Sequence, residues 1–180
     1  ENVSVELLEV EHVALSVPSR PIESNKGTFG KVLIVAGSPN YVGASILAAT
    51  GAYRSGVGLV TLATPQSVYR LIAGQLTDAV YLPLEEICEG QLNVSAASNA
   101  INGAFNTSDA ALVGPGLGES TYMAEFLGDL LISNSECPPL VLDADALNFL
   151  SQKNYWWKNL NPNSVVTPHP GEMARLIDRP

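Results

Sequence analysis

The stretch Lys26–Pro65, KGTFGKVLIVAGSPNYVGASILAATGAYRSGVGLVTLATP, constrains the fold more than any other part of the chain. It reads strand, loop, helix, strand. Lys31–Gly37 is a continuous apolar run with β-branched residues, which suits a strand buried on both faces. Gly37–Gly43 follows as a loop with a glycine at each end, and a helix opens at about Ala44. Ala44, Ala48 and Ala52, with Gly51 beside them, predict a flat helical face lying close against a sheet. Gly56-Val57-Gly58 stops this helix, and Leu59–Ala63 forms the second strand. The succession predicts a right-handed βαβ unit. In such a unit the first loop turns unpaired helix N–H groups toward an anion, although its glycines serve a plain turn as well.

The remaining chain continues the alternation. Gln66–Gly74 reads as a short helix, Ala79–Leu84 as a strand placed at an edge by Pro83, and Glu85–Asn93 as a polar loop. A helix over Ala96–Phe105 leads to a strand at Ala110–Val113 and then to Gly114-Pro115-Gly116-Leu117-Gly118. Ser120 or Thr121 caps a helix over Tyr122–Ile132. Leu140–Ala144 is a strand, Asp145 caps a short helix Ala146–Leu150, and Ser164–Thr167 is the last strand before a helix Glu172–Ile177. Upstream, Glu6–Ala14 predicts a short helix closed by Pro18 and Pro21. The pattern is α/β, with a mainly parallel sheet covered on both faces in three αβα layers.

Composition excludes several functions. Net charge is −9, which disfavours nucleic-acid binding but leaves room for a small anion held by backbone N–H groups. No apolar run approaches a membrane span, and the acidic start does not suit a signal peptide. Cys88 and Cys137 lack metal-like spacing and read as free thiols of a reducing cytoplasm.

Four loops fall at strand C-termini: Gly37–Gly43, Gly114–Gly118, Asp143–Asp145 and Pro168–Glu172. Ligands of open α/β sheets bind there. Three alternating glycines before a helix let a ligand approach the backbone. Asp143 suits a hydroxyl or a water-bound Mg²⁺, and Asp145 reads equally as a simple cap. His169, held between two prolines, is either structural or a ligand contact. Lys26 and Lys31 are surface charges, or Lys26 pairs with phosphate.

KGTFGKVLIVAGSPNYVGA, RSGVGLVTLATP, LVGPGLG, VLDADALN and TPHPGEMARL together resemble the NAD(P)H-hydrate dehydratase family of the ribokinase-like superfamily, in order from about Ile22 to Ile177. The resemblance implies repair of hydrated nicotinamide cofactor. ADP or ATP, with Mg²⁺, phosphorylates the ring hydroxyl of NADHX or NADPHX, and phosphate then leaves. It implies that Ala44, Gly116, Gly118 and His169 contact the dinucleotide. Lys26, Asp143, Asp145 and Asn148 would line the phosphate side. It further implies a cytoplasmic homo-oligomer, a tetramer, and a possible fusion to an N-terminal epimerase.

On this reading residues 1–21 are a lead-in arm or the end of an epimerase domain, with upstream residues expected to be removed or not included. Residues 22–180 are the N-terminal part of the dehydratase domain. Asn25 stands where the family often has His. The family's Lys-Gly loop and its Gly-x-Gly-Asp motif, which carries the expected catalytic Asp, are expected after Pro180. The chain is then a fragment, or a form without catalysis. Two other functions fit the same fold: a hydroxymethylpyrimidine or thiazole kinase, and a non-catalytic nucleotide-binding module.

Overall fold

The computed structural model describes residues 7, 9–134 and 136–179. The central unit takes the expected form. β1 (Lys31–Val35) leads through α2 (Val42–Arg54) to β2 (Leu59–Pro65), and α3 (Gln66–Ile72) connects to β3 (Val80–Leu84). Before it lies α1 (Val10–Ser16), which overlaps the expected helix Glu6–Ala14 and ends two residues later; residues 6 and 8 of that expectation fall outside the described residues. Next come β4 (Glu86–Cys88), β5 (Gln91–Leu92), α4 (Val94–Phe105), β6 (Ala110–Val113) and α5 (Thr121–Gly128). The chain continues through β7 (Leu140–Leu142), α6 (Asp145–Ser151), β8 (Val165–Val166) and α7 (Pro170–Leu176).

Six strands form one sheet in the order β3-β2-β1-β6-β7-β8, every neighbouring pair parallel. β3 takes an edge, where the missing N–H of Pro83 is tolerated. Alternation along β1 builds two cores. Leu33 and Val35 join the core that includes α4, α5 and α6 residues, whereas Ile34 and Ala36 join the core against α2 and α3. This is the predicted three-layer arrangement. The order runs outward from β1 to β3, then restarts on the other side of β1 with β6. The ends of β1 and β6 therefore flank a crevice, the usual ligand position in such sheets.

Several local expectations are corrected. α2 begins at Val42, and its innermost residues are Ser45 and Ala49, both fully buried, with Ala48 and Ala52 partly buried beside them against the same core. Ser45 tolerates burial because its hydroxyl donates to the Val42 carbonyl at 2.7 Å. Glu85–Asn93 is not a plain loop: β4 and β5 form an antiparallel hairpin turning at Glu89-Gly90, with Gly90 at φ +81°. α5, capped by the Ser120 hydroxyl, ends at Gly128 and passes into a π-helical turn over Asp129–Ser133. Asp145 does not cap α6. That position belongs to Ala144, at φ +50°, and Asp145 is the first helical residue.

Candidate active site

The four strand-end loops are joined side by side. The Gly37 N–H donates to the Pro115 carbonyl at 2.9 Å, linking the loops after β1 and β6. Gly116 seals this junction at φ +66°. A Cβ there would lie 2.6 Å from the Ala44 Cβ and 2.8 Å from the Tyr41 Cβ, so only glycine permits the approach. The missing side chain makes room for α2, not for open solvent. The Gly118 N–H donates to Asp145 Oδ2 at 2.7 Å, tying the glycine loop to the start of α6. The Thr167 hydroxyl donates to Asp143 Oδ1 at 2.9 Å, and Arg175 Nε donates to Asn148 Oδ1 at 3.0 Å; these join β7 and α6 to β8 and α7.

A cleft of about 620 Å³ opens at the switch between β1 and β6. Its walls are Ser38–Tyr41, Leu117–Glu119, Tyr122 and the hairpin tip Glu89-Gly90. The Ser38 hydroxyl is buried and has no hydrogen-bond partner among the described residues. Buried polar atoms rarely stay unpaired, so this one suits a polar ligand group in the cleft. Beyond Gly118 lies a smaller hollow of about 190 Å³ between α5 and α6, lined in part by Ser120, Asp145 and Asn148.

The expected site residues separate into three groups. Ala44, Gly116 and Gly118 meet at or beside the cleft, and Asp143, Asp145 and Asn148 follow along the same edge. His169 stands at the end of β8, three strands from β1 or roughly 14 Å at ordinary spacing, and does not line the cleft. Its ring caps α7: Nδ1 accepts from the Gly171 N–H at 3.0 Å, and Nε2 lies 3.3 Å from buried Glu172. Lys26 is removed from the group altogether. It lies in a 3₁₀ turn that enters the N-terminal end of β1, about 16 Å from the loops across a five-residue strand.

Ser38, Tyr122 and the hairpin escaped the sequence reading. The signal for the hairpin was the turn-forming Glu89-Gly90 pair. Ser38 had no signal beyond its position after β1.

A profile described as NAD(P)H-hydrate dehydratase matches residues 32–180. The chain belongs to the NAD(P)H-hydrate dehydratase family. It is 39% identical over 167 residues to the bifunctional NAD(P)H-hydrate repair enzyme of Salinibacter ruber, covering 88% of this chain and 29% of that protein. The crystal structure of the ADP/ATP-dependent NAD(P)H-hydrate dehydratase from Bacillus subtilis, co-crystallised with ATP/Mg²⁺, matches with a TM-score of 0.66 at 32% identity. That match covers 93% of this chain and 54% of the other. A ribokinase-like superfamily protein from Enterococcus faecalis gives a TM-score of 0.74 at 24% identity, over 91% of this chain and 54% of that one, a likeness of fold. This family member thus spans about half the length of its single-function relative and under a third of the bifunctional one.

Among the described residues no three His, Cys, Asp or Glu side chains converge, so an all-protein cage does not form. Mg²⁺ bridging phosphates needs only one or two carboxylates, and the two on this edge each already accept one hydrogen bond, Asp143 from the Thr167 hydroxyl and Asp145 from the Gly118 N–H.

Proposed function

We propose that this chain forms the dinucleotide-holding half of a nucleoside-phosphate-dependent dehydratase that returns (6S)-hydrated NADH and NADPH to NADH and NADPH. The cleft at the β1–β6 switch, closed by Gly116 on Ala44 and carrying the unpartnered Ser38 hydroxyl, carries this reading. Family membership supplies the reaction class.

In this proposal Ala44, Gly116 and Gly118 flank the hydrated dinucleotide. Asp143, Asp145 and Asn148 lie on the phosphate side, and His169 contacts the ligand only at the far end of the site. ADP or ATP is the phosphoryl donor. Mg²⁺ at Asp143 and Asp145 would neutralise phosphate charge, as the ATP/Mg²⁺ of the Bacillus subtilis crystals suggests by analogy. Hydroxide leaves poorly and phosphate well, so phosphorylating the ring hydroxyl lets the ring nitrogen's lone pair expel it. The proposal assigns the proton-abstracting base to the part of the domain that relatives have and this chain does not span. In this proposal the protein is a cytoplasmic homo-oligomer, a tetramer. No described helix is long and apolar enough to cross a membrane. Fusion to an epimerase is supported by the bifunctional relatives.

The test supplies NADHX and NADPHX to the full-length protein with ADP, with ATP and with neither. Recovery of the reduced-nicotinamide absorbance only when a nucleotide is present supports the reading. Recovery without nucleotide, or none at all, refutes it.

A further inference from the structure

The hairpin tip is the wall of the cleft that stands apart from the strand-end loops, and one carboxylate fixes it. α3 has Pro65 at its N-cap, which offers no side-chain acceptor for the first N–H groups of the helix. Glu86, from β4, takes that role across the fold. Its Oε2 accepts from the Ser67 N–H at 2.7 Å, and its Oε1 accepts from the Ser67 hydroxyl at 3.0 Å. The same Oε1 accepts from the Gly90 N–H at 2.6 Å, within the hairpin's own turn. On the other side the Tyr122 hydroxyl donates to the Gly90 carbonyl at 2.5 Å. A Cβ on Gly90 would lie 3.4 Å from Pro39, so the tip also stands close to the loop after β1.

We propose that Glu86 is a positioning residue for dinucleotide recognition. Its carboxylate pins the Glu89-Gly90 tip against the start of α3 and so holds one wall of the cleft in place. Substrate affinity depends on it, and the chemical step does not. The inference rests on the reading that this cleft takes the hydrated dinucleotide. A carboxylate with three donors on two elements is a stiff joint, because charge-assisted hydrogen bonds are short and strong. Removing it leaves the Ser67 and Gly90 N–H groups without their acceptor and frees a two-residue turn on three-residue and two-residue strands.

The test compares full-length wild type, Glu86→Ala and Glu86→Gln. Glu86→Ala is expected to raise KM for NADPHX roughly tenfold, with kcat within about twofold and KM for ADP unchanged. Amide hydrogen exchange should quicken at residues 87–92 and at Ser67 while the core strands keep their protection. Gln keeps an oxygen for Gly90 but offers an NH₂ to the Ser67 N–H, so Glu86→Gln should give an intermediate KM. Unchanged exchange at the tip, or faster exchange with unchanged KM, overturns the proposal. If the wild type does not dehydrate NADPHX, the dehydratase reading falls by itself. The Kd of NADH, measured by calorimetry, then decides the role of Glu86: a roughly tenfold loss in Glu86→Ala supports it, and equal affinity removes it.

Discussion

The Asp145 carboxylate accepts the Gly118 N–H at 2.7 Å, across 27 residues of sequence, and joins the glycine loop to the first turn of α6. Asp145 is half-buried, so the bond is partly shielded from solvent. Asp145→Ala should cost about 1.5–3 kcal/mol in urea unfolding, the range for hydrogen bonds to charged groups. Asp145→Asn keeps an accepting oxygen and should cost under about 1 kcal/mol. Equal losses in the two variants would mean that the charge, not the bond to Gly118, sets the stability.

Gly116 and Gly118 separate two effects. Both have positive φ, +66° and +77°. A Cβ at Gly118 would meet nothing nearer than 3.8 Å, whereas one at Gly116 would collide with Ala44 and Tyr41. Gly118→Ala should therefore cost about 1–2 kcal/mol, the left-handed backbone penalty alone. Gly116→Val should add overpacking, for a total of roughly 3–5 kcal/mol, and should weaken NADPHX binding by shifting the start of α2. Calorimetric affinity and urea unfolding on both variants check this. A Gly116→Val protein that is well folded and binds normally would contradict the packing described here.

Much of this site was legible because it depends on local chemistry. Continuous apolar runs marked the buried strands, and the glycine loop announced a close backbone approach. What escaped depends on partners distant in sequence. Asp145 looked like a cap because an acid before a helix usually is one; its partner is the Gly118 N–H. Ser45 is fully buried although polar, because it satisfies its own hydroxyl within α2. Lys26 was grouped with the loops because it is near them in sequence, but β1 carries the chain to the opposite end of the sheet. Three-residue and two-residue strands carry too few residues for alternation to reveal them, so the hairpin passed as a loop.

Ala144 lies between Asp143 and Asp145 at φ +50°, ψ −117°, a backbone conformation suited to glycine. Ala144→Gly should raise the unfolding free energy by about 1 kcal/mol through relief of strain, and Ala144→Val should lower it by about 2 kcal/mol. Denaturant midpoints at matched slope measure both. A destabilised glycine variant would show that Ala144 is held without strain.

Alkaline stability follows from two tyrosines. Burial raises the pKa of Tyr53 above its ordinary value of 10.0, and the Asp78 charge adds to this. Burial, then Tyr69 and Tyr53, raise that of Tyr81. The folded state holds these protons where the unfolded chain releases them. Their contribution is therefore complete below about pH 10 and is lost as pH rises through the folded values. Unfolding free energy should fall above about pH 10, less steeply in a Tyr53→Phe, Tyr81→Phe protein. An identical alkaline slope in that double variant would remove both residues from the account.

The most direct measurement of the central claim follows the oxygen that leaves the ring. NADPHX carrying heavy oxygen in its ring hydroxyl is given to the full-length protein with ADP or ATP, and the products are read by mass spectrometry. If the hydroxyl is phosphorylated and then expelled, its oxygen departs in inorganic phosphate, one labelled phosphate per NADPH restored. Label found in water, with NADPH formed and no nucleotide consumed, would contradict the account.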